Sequence, residues 1–229
     1  MTDLDMARRY RPRVHMDRAE TIPLRAVGYT VFHETGASRS FPKRQILVSQ
    51  GAVVEYAFFW NYDVEHMYDL EHIWVYVAPD GEIQGAEGSY HGKYLNLLVP
   101  GFPGTLAPDG DHVQAFCQPG KHAMLASGEM TRLYPGWDRC CREPGGPVLI
   151  GNPFCAAYAP SGQDLFVPSE ADNARSKRYL REQLAFEPTL DFSESIVPTA
   201  LLLSWDALYE KIPGWIAQEC RRLEAFYAQ

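Results

Sequence analysis

The chain has no pair of cysteines at knuckle or redox spacing. Its five cysteines, Cys117, Cys140, Cys141, Cys155 and Cys220, include no C-x-x-C. That removes the common cysteine-built zinc sites. An odd count without pairing reads as reduced thiols, which fits a cytoplasmic protein. Positive charge is also scarce: 21 Lys and Arg stand against 29 Asp and Glu, for a net charge of -8. A broad grip on nucleic acid phosphates is therefore excluded. No apolar run approaches the ~18 residues of a membrane span, and the longest, near Thr199–Leu203, is far too short. The first residues, MTDLDMARRYRPRVHMDR, lack the apolar stretch of a signal peptide. Also missing are G-x-S-x-G, a P-loop and H-E-x-x-H, so no nucleophile identifies itself.

What is present is an ordinary globular composition, 46% hydrophobic and 22% charged over 229 residues. Such a chain buries a sizeable core, and its length fits one domain. Aromatics reach 13%, which favours β-structure, and 17 Pro with 18 Gly demand many turns. Strands are expected at Ala26–Phe32, Val53–Trp60 and Leu70–Val77. The last ends at the turn Pro79–Gly81, and Glu82–Ser89 reads as its return strand. Short strands are expected at His112–Gln118 and Val148–Gly151, and Tyr134–Pro147 reads as loop.

The last quarter is helical in character. Ser169 followed by Glu170 and Asp172 predicts a capped helix to about Phe186, stopping before Pro188. Ser204 reads as the cap of a shorter helix to Lys211, and Pro213 as the first turn of a final helix to near Tyr227. Its residues Trp215, Ile216, Cys220, Leu223, Phe226 and Tyr227 share one face, for core packing or for a partner groove. The expected fold is mainly β (α+β), a β-sandwich core with C-terminal helices. It forms a single domain over 1–229, with the β-rich part at about 20–168 and the helical part at about 169–229.

The segment carrying chemistry runs from Asn61 to His72, between two apolar strands. Asp69 and Glu71 are two apart, so on an extended chain they share a face. That face continues as Ile73, Val75 and Val77. Two carboxylates at the rim of an apolar face repel and lose hydration unless something neutralises them. A divalent cation does so, and oxygen donors with one imidazole suit Mg²⁺, Ca²⁺ or Mn²⁺ better than Zn²⁺. Asp63 and His66, in the loop entering the strand, would close the shell. His72 lies on the opposite face beside Trp74 and Tyr76, and reads as a core or supporting histidine. The alternative for the whole cluster is a set of solvated hairpin charges.

The arrangement resembles necrosis- and ethylene-inducing-like proteins. Their GHRHDWE motif follows an aromatic-rich strand with an Asp and precedes an apolar strand. Here YAFFWNYD precedes EHMYDLEHIWVYV, and the family's Ser-x-His-Gly-x-Tyr segment is matched by SYHGKY at Ser89–Tyr94. The related vacuolar protein sorting-associated family, with a GDWE motif, has a later Gly-x-His-Ala block similar to Gly120–Ala123. The resemblance runs from Val53 to Leu125. Glu65, Tyr68 and Leu70 stand where the motif has Gly, its second His and Trp. It implies a β-sandwich with a metal at one end, held by Asp63, His66, Asp69 and Glu71. His91 and His122 fall on later histidine positions and would line the site. Secreted members carry signal peptides and disulfides, neither of which is seen here.

Three functions follow. One is a binding protein, whose metal helps hold a small polar ligand such as a sugar, glycan or phosphate-bearing lipid head group. Trp60, Tyr62, Tyr68, Tyr90 and Tyr94 are its stacking candidates, with His91 beside Tyr68, Tyr90 and Tyr94 in the ligand site. Another is a metal-dependent hydrolase, with His91 or His122 as acid or base toward a metal-bound water. The third is a structural metal in a protein acting through partners.

Overall fold

The computed structural model describes residues 1–41, 43–98, 106–146 and 168–228. In chain order the helices are α1 (Asp3–Arg9), α2 (Trp137–Arg142), α3 (Glu170–Gln183) and α4 (Trp205–Tyr227). The strands are β1 (Arg13–Asp17), β2 (Leu24–Phe32), β3 (Gly36–Ala37), β4 (Gln45–Ile46), β5 (Ala52–Tyr62), β6 (Met67–Val77), β7 (Ile83–Tyr90), β8 (Lys93–Asn96), β9 (Gln114–Cys117), β10 (Met124–Leu125), β11 (Phe192–Ile196) and β12 (Leu202–Ser204).

Apolar residues on both faces of β5 and β6 put these strands in the middle of a six-stranded sheet, ordered β12-β2-β5-β6-β7-β8. A second sheet has the order β10-β9-β1-β11, with β1 parallel to β9 and antiparallel to β11. One face of β5 and β6 carries Tyr56, Phe58, Trp60, Ile73 and Val75. These share a buried cluster with Val14, Ala115, Cys117 and Met124 of the second sheet. The two sheets approach closely at Gly88, where an added Cβ would lie 2.6 Å from Met124 Cβ. The other face packs Phe59 against Trp215 of α4, ring centroids 5.5 Å apart. Further along it carries a smaller cluster of Ile46, Val53 and Trp74. The result is an α+β fold, a β-sandwich with C-terminal helices. Among the described residues no helix is long and apolar enough to cross a membrane, and Cys117, Cys140, Cys141 and Cys220 are free thiols.

Several boundaries differ from the sequence expectation. β1 precedes residue 20, and β11 and β12 lie within the C-terminal part. Both α1 and β1 come before Ala26, the start of the first expected strand. The Tyr134–Pro147 stretch holds α2, which starts after Gly136 in a left-handed conformation (φ 76°) and is anchored by buried Cys141. α3 ends at Gln183 rather than near Phe186. The two last helices are one, α4, with Pro213 inside it. Its buried stripe, Leu208, Ile212, Ile216, Cys220 and Leu223, runs unbroken across the proline, so tertiary packing outweighs the local break. The expected strand at Val148–Gly151 and Cys155 lie outside the described residues.

Candidate functional site

Asp63 begins the turn between β5 and β6. Its Oδ1 accepts the backbone N–H groups of Glu65 and His66, at 2.6 and 2.5 Å. Its Oδ2 accepts from Lys121 Nζ at 2.5 Å and from His66 Nδ1 at 2.8 Å. Lys121 Nζ also donates to Glu65 Oε2 at 2.9 Å. Burial alone would raise the Asp63 pKa, but His66 and Lys121 overcome it and hold it at about 2. Burial would lower the pKa of His66, and Asp63 raises it on balance. The turn is docked on the loop after β9 by Val64 N–H to the Gly120 carbonyl, 2.8 Å. Gly120 has φ 69° and a Cβ there would lie 2.6 Å from Val64 Cγ1, so only glycine serves.

The same loop carries His122, a non-glycine residue at φ 55°. Its ring is fully buried and stacks on Trp60, centroids 4.2 Å apart and planes at 7°. Nδ1 donates to Asp69 Oδ2 at 2.9 Å and Nε2 to Glu20 Oε1 at 2.6 Å. Burial works against the imidazolium, yet Glu20 and Asp69 raise its pKa to about 10. His122 is thus a cation clamped between two carboxylates, with the indole face adding a cation–π contact. Glu20 Oε2 also accepts the Gly120 N–H at 3.0 Å.

Glu71 is different. It is partly buried, its Oε2 accepts from Ser89 Oγ, and no basic side chain hydrogen-bonds to it among the described residues. Burial and then the adjacent Asp69 carboxylate push its pKa up to about 8. At neutral pH it is held mostly as a neutral acid beside a carboxylate.

The four expected metal ligands are therefore divided. Asp63 is bonded to His66 and to Lys121, which it shares with Glu65, while Asp69 and Glu71 adjoin His122 and Ser89. Among the described residues, no three His, Cys, Asp or Glu side chains are grouped so as to hold an ion by themselves. His91 (φ 48°) stacks on Tyr134 at 4.6 Å, meets Tyr90 edge-on, and bonds through Nε2 to Gln118 Oε1 at 2.8 Å. Burial lowers its pKa, and Asp69, Glu65 and Lys121 lie within electrostatic reach. Tyr68 stacks on Phe59, on the helix-covered face.

Tyr94 lies away from this group. It packs against Arg44, 3.8 Å from ring centroid to guanidinium, and Trp74 lies 3.6 Å from the same group. His72 stacks on Trp74 in the same outer cluster, and burial with Arg44 nearby lowers its pKa to about 3.

Sequence reasoning missed Glu20, Lys121, Ser89, Gln118 and Tyr134. Ser89 and Lys121 sat inside quoted motifs. Glu20 reaches His122 across 102 positions of sequence, and nothing local marks it.

No protein-family model matches the chain, and no curated protein matches it. Among solved structures it is similar to NLPPya in complex with glucosamine, with 16% identity over 80% of this chain and 89% of that chain, at a TM-score of 0.38. NLPPya in complex with mannosamine gives 16% over 80% and 89%, at 0.37. A structure described as "Toxin fold as basis for microbial attack and plant defense" gives 14% over 64% and 83%, at 0.33. These neighbours are necrosis- and ethylene-inducing-like proteins. Likeness this slight carries no argument about activity.

Proposed function

We propose that the rim formed by Asp69, Glu71, Ser89, Tyr90 and His91 binds a small polar ligand, and that a divalent cation joins it there. The observation that carries this reading is Glu71, whose pKa stands at about 8 beside Asp69. Such a pair has one more carboxylate than its surroundings neutralise. His122 already serves Asp69 and Glu20, and Lys121 serves Asp63 and Glu65.

The donor set fits a hard cation better than zinc. Mg²⁺ is commonly held by one or two carboxylates, its remaining positions filled by water and ligand oxygens. Asp69 and Glu71 would supply those carboxylates. Asp63 would not, because both its oxygens already accept hydrogen bonds, and His66 is turned toward it, with Nδ1 donating to Asp63 Oδ2. When bound, the cation would polarise or neutralise a ligand oxygen. The protein side supplies an imidazole hydrogen bond from His91 and ring surface from Tyr90 and Tyr134, while Ser89, buried and donating to Glu71, holds that carboxyl in place.

The hydrolase alternative keeps one of its two bases. His122 donates an N–H from each ring nitrogen and stays charged at neutral pH, so it has no lone pair for a water. His91 alone remains, and binding is the better reading.

Calorimetric titration with Mg²⁺, Ca²⁺ and Mn²⁺ near pH 7, in two buffers of different ionisation enthalpy, tests this. Binding should release close to one proton, the one held by Glu71, and should vanish in the Asp69→Asn/Glu71→Gln variant. Unchanged binding in that variant would remove the assignment.

A further inference from the structure

A cavity of about 440 Å³ opens between the start of β2, the end of β5, and helices α3 and α4. None of the residues proposed above as cation or rim ligands lines it. Its polar wall centres on Glu219, whose side chain is 9% exposed. Tyr62 Oη donates to Glu219 Oε1 at 2.5 Å, and Arg222 reaches the same oxygen through Nε at 2.8 Å and Nη2 at 2.6 Å. All three contacts fall on one oxygen. Oε2 has no partner among the described residues. Asn61 repeats the asymmetry: its Oδ1 accepts from Arg25 Nη1 at 2.8 Å, and its Nδ2 has no partner among them. Ile22, Pro23 and Leu184 supply apolar wall.

We propose that this cavity binds a neutral polyhydroxylated ligand, a sugar or polyol, with adjacent hydroxyls shared between Glu219 Oε2 and Asn61 Nδ2. A hydroxyl both donates and accepts, so a vicinal diol satisfies a bare carboxylate oxygen and a bare amide N–H together. An anionic ligand would meet Glu219 Oε2 with like charge. A cationic one would find Glu219 already paired, and Tyr179 already faced by the Arg222 guanidinium at 4.6 Å from its centroid. The apolar wall suits the C–H face of a sugar ring, and the volume lies within the ~300–1,000 Å³ of small-molecule sites.

Saturation-transfer NMR with D-glucose, D-galactose and myo-inositol tests the site on the full chain. Transfer is expected to at least one of these probes. Asn61→Ala, which leaves the Glu219–Arg222–Tyr62 group intact, should weaken binding by about fivefold or more, the effect of one lost hydrogen bond. Leu184→Trp, which fills the cavity, should abolish it. Chelator and the Asp69→Asn/Glu71→Gln variant should leave it unchanged, which separates this site from the cation rim. No transfer to any probe, or transfer lost in the Asp69/Glu71 variant but kept in Asn61→Ala and Leu184→Trp, would overturn the proposal. So would displacement of bound probe by acetate or phosphate.

Discussion

Glu71 and His122 are both titratable groups whose proton affinity rises on folding, one a carboxyl and the other an imidazole. Folded Glu71 titrates at about 8, while an unfolded glutamate titrates near 4.3. Between those values the folded chain binds the extra proton. Its contribution to stability is therefore full below the lower value and lost as pH rises through the upper one. His122 has the same sign, its contribution being full below about 6.5 and lost as pH rises through about 10. Asp63 runs the other way: held at about 2, it stabilises above the unfolded value and loses that contribution as pH falls. Urea unfolding at pH 5 and pH 8 should show stability falling with pH, and Glu71→Gln should flatten that fall. An equal fall in the variant would assign it to His122 or another group.

At the scale of elements, the sequence announced the strands and largely hid the joints. β5, β6 and β7 are legible because apolar runs and a Pro-Asp-Gly turn bound them. The Ser169 cap is legible too, and the structure contains the reciprocal capping box with Asp172. An equal signal, Thr2 with Asp5, opens α1 and was overlooked. Pro213 misled in the opposite direction, since a proline-based boundary is local while the stripe from Leu208 to Leu223 is not. Inside α4, Pro213 lacks the N–H that would donate one turn back. Pro213→Ala should therefore stabilise the protein by ~1–3 kcal/mol in urea unfolding. A loss of stability would mean that the proline shapes the helix for packing.

Over the whole molecule, the candidate site is a product of long-range topology. Asp69 and Glu71 could be placed on one face from strand alternation alone. Their neutralising partners could not, because Lys121 and His122 arrive from the loop after β9, and Glu20 from before β2. A sequence window sees four acids and two histidines from Asp63 to His72. The fold adds two cations and leaves one carboxyl, that of Glu71, without a basic hydrogen-bond partner.

The direct check is the Glu71 side-chain carboxyl, followed by ¹³C NMR through a pH titration with and without Mg²⁺. It should titrate at about 8 in the free protein and well below neutrality with the cation bound. A carboxyl that titrates in the ordinary glutamate range, or one that the cation leaves unmoved, would contradict the account.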